Sequence, residues 1–232
     1  MNAALFAELC AARAAKRSVA VVTRLADGCQ ALVDSGCTLG DLELSPVSVA
    51  EIRDRHLATD RSGAMAIEQG LFVRVYSPTP RLLLVGAVHI AQALAPMAPA
   101  AGFQVIIIDP RRAFASSERF PGVNMNADWP DDAMEQLAPD AKTAVVTLTH
   151  DPKLDDPALA AALDSPAFYI GALGSSRTHA QRLDRLREAG YGEQLARIHA
   201  PVGLDLGGRA PGEIAVAILA QIIQARYAPV QS

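Results

Sequence analysis

Four short, nearly wholly apolar runs constrain this chain more than any other feature: residues 82–85 (LLLV), 105–108 (VIII), 143–148 (TAVVTL) and 167–170 (AFYI). A strand without a polar face has to be covered on both sides. Longer segments with helical periodicity follow the runs, at about 89–101, 132–138, 157–163, 178–189 and 212–226. Doubly buried strands that alternate with helices dictate right-handed crossovers and a parallel sheet. Pro96 and Pro99 end or bend the first helix early. Gly190 suits a left-handed stop to the fourth, and Pro211 the first position of the fifth.

The earlier residues are patterned differently. Residues 5–16 read as a helix with Leu5, Leu9 and Ala12 on one face. Residues 19–23 and 30–33 read as strands on either side of Ala26-Asp27-Gly28, and 71–76 (LFVRVY) as a half-buried strand. Ser48 reads as the cap of a helix over 49–58, with Glu51 completing a capping box. Ser77-Pro78-Thr79-Pro80 sets two prolines in four residues and stiffens the backbone into a linker. The expectation is a smaller, reduced α+β N-terminal domain over 1–77. An α/β domain with a Rossmann-like parallel sheet follows over 78–232, with a small-molecule crevice along the carboxyl edge of that sheet.

Half the residues are hydrophobic and 20% are charged, enough apolar material for real cores. The net charge of −4 gives no support for nucleic-acid binding, which needs a basic face. No apolar run approaches the roughly 18–20 residues that span a bilayer, so no membrane association is expected. The N-terminus mixes Glu8, Arg13 and Lys16 into an alanine-rich helical pattern, unlike a secretory signal, and the expected location is cytoplasmic. Cys10, Cys29 and Cys37, an odd set without close pairing, read as buried, inert thiols rather than a disulfide framework or a zinc site.

The chemistry-bearing residues fall at strand ends. The first strand–helix turn reads Gly86-Ala87-Val88-His89-Ile90-Ala91. A dinucleotide fingerprint is G-x-G-x-x-G/A. Gly86 and Ala91 match its first and third positions, but Val88 crowds the second, where glycine admits a pyrophosphate. The turn reads either as a damaged phosphate seat or as plain packing. Asp109 lies 23 residues after Gly86 (109 − 86), where an acid receives ribose hydroxyls. Arg111 beside it suits a phosphate, or forms part of a solvated charge cluster. Thr149-His150-Asp151 ends the third run, and His150 is an acid, base or donor unless it only caps local structure. Gly171-Ala172-Leu173-Gly174-Ser175-Ser176-Arg177 follows the fourth run and opens a helix, whose free N–H groups and dipole favour anions. It is not a P-loop, because the Lys-Ser/Thr pair is missing. Gly203 and Asp205 lie with Arg209 in a glycine-rich loop, 201–211, able to close over a ligand or merely to connect. No nucleophile–base pair is evident, so these are binding candidates rather than catalytic ones.

In this order, the segments RLLLVGAVHIAQALAPMAPAAGFQVIIIDPR, ERFPG (118–122), TLTHD (147–151), YIGALGSSR (169–177) and PVGLDLGGRAPGEIAVAILAQI (201–222) resemble the XdhC/CoxI family of xanthine dehydrogenase accessory proteins. The resemblance implies a cytoplasmic chaperone that binds the molybdenum cofactor (molybdopterin) and guards it while its sulfido ligand is installed. It also implies delivery to xanthine dehydrogenase- or CO dehydrogenase-type apo-molybdoenzymes, with a sulfurtransferase as a further partner. Three departures stand out. Val88 replaces the second glycine of the family's G-A-G-H turn, while His89 is kept. The G-S-[AST]-P-R stretch of the family's N-terminal domain is absent. Ala210 stands where a capping Ser or Thr is usual. Two other readings remain open on the residues: an NAD(P)-dependent oxidoreductase using His150, and a scaffold without a small ligand that partners a complete family member. A homodimer is expected because the last helix (IAVAILAQII) is apolar almost all round.

Overall fold

The computed structural model describes residues 2–228. They divide into two compact units, one holding the described residues up to Pro78 together with Tyr227 and Ala228, the other Thr79–Arg226.

The first unit begins with α1 (Ala3–Ala14), β1 (Val19–Arg24), β2 (Gln30–Val33) and β3 (Thr38–Gly40). Helix α2 (Pro46–Glu51) runs on into a π-helical turn, Ile52–Leu57, and β4 (Gly63–Ala64) and β5 (Leu71–Tyr76) follow. The strands form an antiparallel sheet in the order β3-β2-β1-β5-β4. Leu5, Leu9 and Ala12 of α1 cover one face against Val19, Val21 and Leu32. Ala20, Val22, Val33 and Val73 pack on the other against Ile52. The N-terminal region is thus a separate antiparallel α+β structure.

Two expectations are corrected here. The cap of α2 is Ser45, whose side chain accepts the Ser48 N–H, and Pro46 takes the first helical position. Glu51 closes no capping box; it is buried, and its carboxylate accepts the N–H groups of Ala66 and Ile67. The thiols are not all buried either: Cys10 lies on the outward face of α1 and Cys37 in the turn before β3, both exposed, and Cys29 is half-buried; all three are free.

The second unit contains β6 (Arg81–Val85), α3 (His89–Met97) with a 3₁₀ turn over Ala98–Ala101, β7 (Gln104–Ile108) and β8 (Asn124–Asn126). Then come α4 (Pro130–Leu137), β9 (Thr143–Thr147), α5 (Pro152–Leu163) and β10 (Tyr169–Ala172). The last elements are α6 (Ser176–Glu188), β11 (Ile198–His199) and α7 (Pro211–Arg226). All six strands are parallel, in the order β11-β10-β9-β6-β7-β8. Counted from β6, that is 3-2-1-4-5-6 read from the β8 edge, the order of dinucleotide-binding domains.

The apolar runs are strands because both their faces are covered. Leu82, Leu84, Ile107 and Val146 pack towards α3 and α7; Leu83, Val85, Ile108 and Val145 pack towards α4 and α5. Each such side chain contributes about 1.5–3 kcal/mol by burial. Helix α5 starts earlier than its periodicity suggests: Asp151 caps it and Pro152 opens it, and Pro157 falls inside. Among the described residues, no helix is long and apolar enough to cross a membrane.

Candidate functional site

In the strand order found here, the winding of the sheet reverses between β6 and β9, and ligands of open parallel sheets bind beyond the carboxyl ends at such a point. The ends of these two strands touch. Gly86 has a φ of +114°, and a Cβ on it would lie 2.6 Å from Cγ2 of Thr149. Only glycine fits this turn. Its N–H donates to the Ile108 carbonyl, and the Leu148 N–H donates to that of Val85, each at 2.9 Å.

From Val88, α3 departs without a side-chain cap, and Val88 itself packs half-buried against the core beneath α3 and α7. His89, one residue on, is exposed.

The next strand end is closed rather than open. Asp109 is fully buried, and Oδ2 accepts the Ala87 N–H at 2.8 Å. Arg111 grips both carboxylate oxygens through Nε and Nη2, and its backbone N–H adds a third bond. Burial alone would raise the Asp109 carboxyl, but Arg111 and the Ala87 N–H hold it below the usual carboxylate range. Asp109 therefore clamps the β6–α3 turn, and both its oxygens are engaged. Asp151 and Asp155 also act on Arg111, though less than Asp109 does.

At the end of β9, the Thr149-His150-Asp151 turn is held from below by Asp155. Its Oδ1 accepts the Thr149 hydroxyl at 2.6 Å, and its Oδ2 accepts the His150 N–H at 3.1 Å. These bonds fix His150 in a left-handed conformation, φ +62°. Its Nδ1 lies 3.8 Å from where a Cβ on Gly174 would sit. Gly174 itself has φ +144°, and that Cβ would meet Thr178 at 3.3 Å. The Thr149-His150-Asp151 turn and the Gly171–Arg177 segment thus meet across this glycine.

Ser175 caps α6 by accepting the Thr178 N–H; Ser176 and Arg177 begin the helix, exposed. Gly171 lies deeper, buried inside β10, where a Cβ would meet Val202 at 2.6 Å and the Tyr169 ring at 2.9 Å. Gly203 donates its N–H to the Gln221 side chain, which also accepts the Tyr169 hydroxyl. This pins the glycine-rich loop to α7, and Asp205 stands exposed beyond it.

Two residues that matter here have no sequence signal. Asp155 and Arg182 are almost fully buried and paired, Nη2 to Oδ2 at 3.5 Å, and Nη2 also donates to the Leu173 carbonyl at 3.0 Å. Burial pushes the Asp155 carboxyl up and the Arg182 guanidinium down, and their attraction opposes both shifts. The pair ties the end of β10 to the His150 turn. In the sequence, Asp155 is one of several acids near a helix start and Arg182 one of five arginines between 177 and 197, so neither is distinguishable.

A doubly wound parallel sheet, with glycine turns and helix N-termini gathered at its reversal, defines a Rossmann-type binding domain. The chain belongs to the XdhC family: residues 82–222 match the XdhC Rossmann domain. It is 35% identical over 152 residues to a protein of Escherichia coli named molybdenum cofactor insertion chaperone PaoD, covering 65% of this chain and 42% of that one. It is 33% identical over 157 residues to a Bacillus subtilis protein named as a probable xanthine dehydrogenase subunit, covering 67% of this chain and 46% of that one. Among solved structures, one described as a xanthine dehydrogenase from Bacillus halodurans matches with a TM-score of 0.69 at 26% identity, over 91% of this chain and 60% of that one. The chain spans less than half the length of these two curated relatives.

Proposed function

We propose that this chain serves molybdoenzyme maturation: it holds the molybdenum cofactor along the carboxyl edge of its parallel sheet and assists the cofactor's sulfuration and insertion into xanthine dehydrogenase- or CO dehydrogenase-type apoenzymes. The observation that carries this reading is the junction at the sheet's reversal. Gly86 and Gly174 let Thr149, His150 and Thr178 pack closely there, and the junction is flanked by the uncapped start of α3 and by Arg177 at the start of α6. N–H groups at helix starts and a guanidinium suit the phosphate and pterin oxygens of such a cargo. His150 would orient the cargo, and Ser175, Ser176 and Arg177 would anchor its anionic end. The names of the E. coli and B. subtilis relatives point the same way.

The cargo supplies the redox chemistry once it reaches its enzyme. This chain's residues bind and orient it, and no nucleophile–base pair among the crevice residues suggests turnover. On this reading the protein works in the cytoplasm, alongside a sulfurtransferase and the apoenzyme, as a homodimer formed through α7, whose Val216 is exposed. The test is reconstitution of an apo-xanthine dehydrogenase with released cofactor and a sulfurtransferase. The wild-type chain is expected to raise the recovered activity, and Arg177→Ala to lose most of that gain, about tenfold for one charged hydrogen bond. No gain from the wild-type chain, or an equal gain from the variant, contradicts the reading. NAD(P) binding is disfavoured by Val88 and by the engaged oxygens of Asp109; low-micromolar binding of NADH or NADPH would reinstate it.

A further inference from the structure

The loop after β7 carries an arrangement that the cofactor reading leaves unused. Two consecutive turns, the Phe114 N–H to the Arg111 carbonyl and the Arg119 N–H to the Ser116 carbonyl, fold residues 111–120 compactly. The loop is anchored at its far end, where Phe120 is buried in the core beneath α3 and α7. Arg119 secures it further, donating through Nη2 to the side chain of Gln92 on α3 and through Nη1 to the Phe114 carbonyl. Phe114 is left 44% exposed by this scaffold. The Arg111 guanidinium lies 4.7 Å from its ring centroid and that of Arg119 5.8 Å. Arg111 is itself clamped to Asp109, and Asp109 to the β6–α3 turn. An exposed aromatic ring with two fixed guanidinium groups is thus tied to the turn that, in this fold, faces a nucleotide.

Asp109 makes the arrangement informative. In a dinucleotide-binding domain this acid accepts ribose hydroxyls. Here Arg111 and the Ala87 N–H engage both its oxygens, so recognition by the carboxylate is replaced by what Arg111 presents outward. That is a guanidinium beside an aromatic ring, a combination that takes planar bases by stacking and phosphates by charge.

We propose that Arg111, Phe114 and Arg119 form a stacking seat for the base of a nucleotide, and that the cargo of this chain is accordingly a form bearing a nucleotide beyond its pterin. The second half rests on the cofactor reading; the seat itself does not. The test is calorimetric titration of the full chain with CMP, GMP, AMP and inorganic phosphate. At least one nucleotide should bind, with phosphate alone clearly weaker. Phe114→Ala should weaken that nucleotide about tenfold to a hundredfold, the usual effect of removing one stacking partner. Phe114→Trp should retain it, and both variants should fold, because the ring is largely outside the core. The seat is overturned if no nucleotide binds at millimolar concentration, if phosphate binds as tightly, or if Phe114→Ala changes affinity less than twofold. Uptake of molybdenum cofactor that is equal in the wild type and Phe114→Ala removes the nucleotide-bearing cargo and spares the cofactor reading. Phe114-dependent nucleotide binding without cofactor uptake supports the seat and removes that reading.

Discussion

Asp109 sits where a ribose acceptor is expected, yet its hydrogen bonds turn it into a clamp on the chain's own backbone. Replacing the carboxylate by an amide removes the charge and turns one of its two acceptor oxygens into a donor, which leaves Arg111 and the Ala87 N–H competing for a single neutral oxygen. Asp109→Asn is therefore expected to lower stability at pH 7 by about 2 kcal/mol, the scale of lost charge-assisted hydrogen bonds to one buried carboxylate. The sign with pH follows from the folded carboxyl lying below its unfolded value of about 3.9. The stabilisation is complete above that value and lost as pH falls through the depressed one. Urea midpoints of wild type and variant should therefore converge below about pH 4; a gap that stays constant down to pH 2 would contradict the clamp. The same residue scale hides most from a sequence. Asp155 and Arg182 acquire their meaning only when α5 and α6 bring them together behind the His150 turn.

Elements differ in how plainly the sequence announces them. Strands β6, β7, β9 and β10 are legible because cover on both faces forces an apolar run. The edge strands are not: Asn124–Asn126 and Ile198–His199 pair on one side and carry no alternation, and all three residues of Thr38–Gly40 are exposed. The start of α2 is ambiguous because Ser45 and Ser48 are equally good caps in composition, and only Pro46 at the first position decides between them. The start of α7 shows the opposite case. Ala210 offers no capping hydroxyl, yet Glu213 accepts the N–H groups of Arg209 and Ala210, so half of a capping box survives. Glu213→Ala should cost about 1 kcal/mol in chemical denaturation and leave ligand binding untouched. No change in midpoint would mean that solvent serves those N–H groups equally well.

At the scale of the whole molecule, Thr79–Arg226 has its own two-faced core and contains every candidate binding residue. We propose that it is an independent domain. A fragment spanning 79–226 should then unfold cooperatively and give the near-ultraviolet dichroism of fixed aromatic side chains; a fragment without a cooperative transition would show that this core depends on the first unit. The candidate site is legible as a set of strand ends because this topology brings strand ends to one edge. Which groups are free there is not, since that depends on hydrogen bonds made within the chain, such as those that engage Asp109 and Gly203.

The central claim is that this edge holds an anionic pterin cargo, and the molybdenum-to-protein ratio after gel filtration with released cofactor tests it most directly. The wild-type chain should elute with molybdenum bound, and Arg177→Ala and His150→Ala, both folded, should elute largely without it. A wild-type peak free of molybdenum, or variants that carry as much as the wild type, would contradict the account.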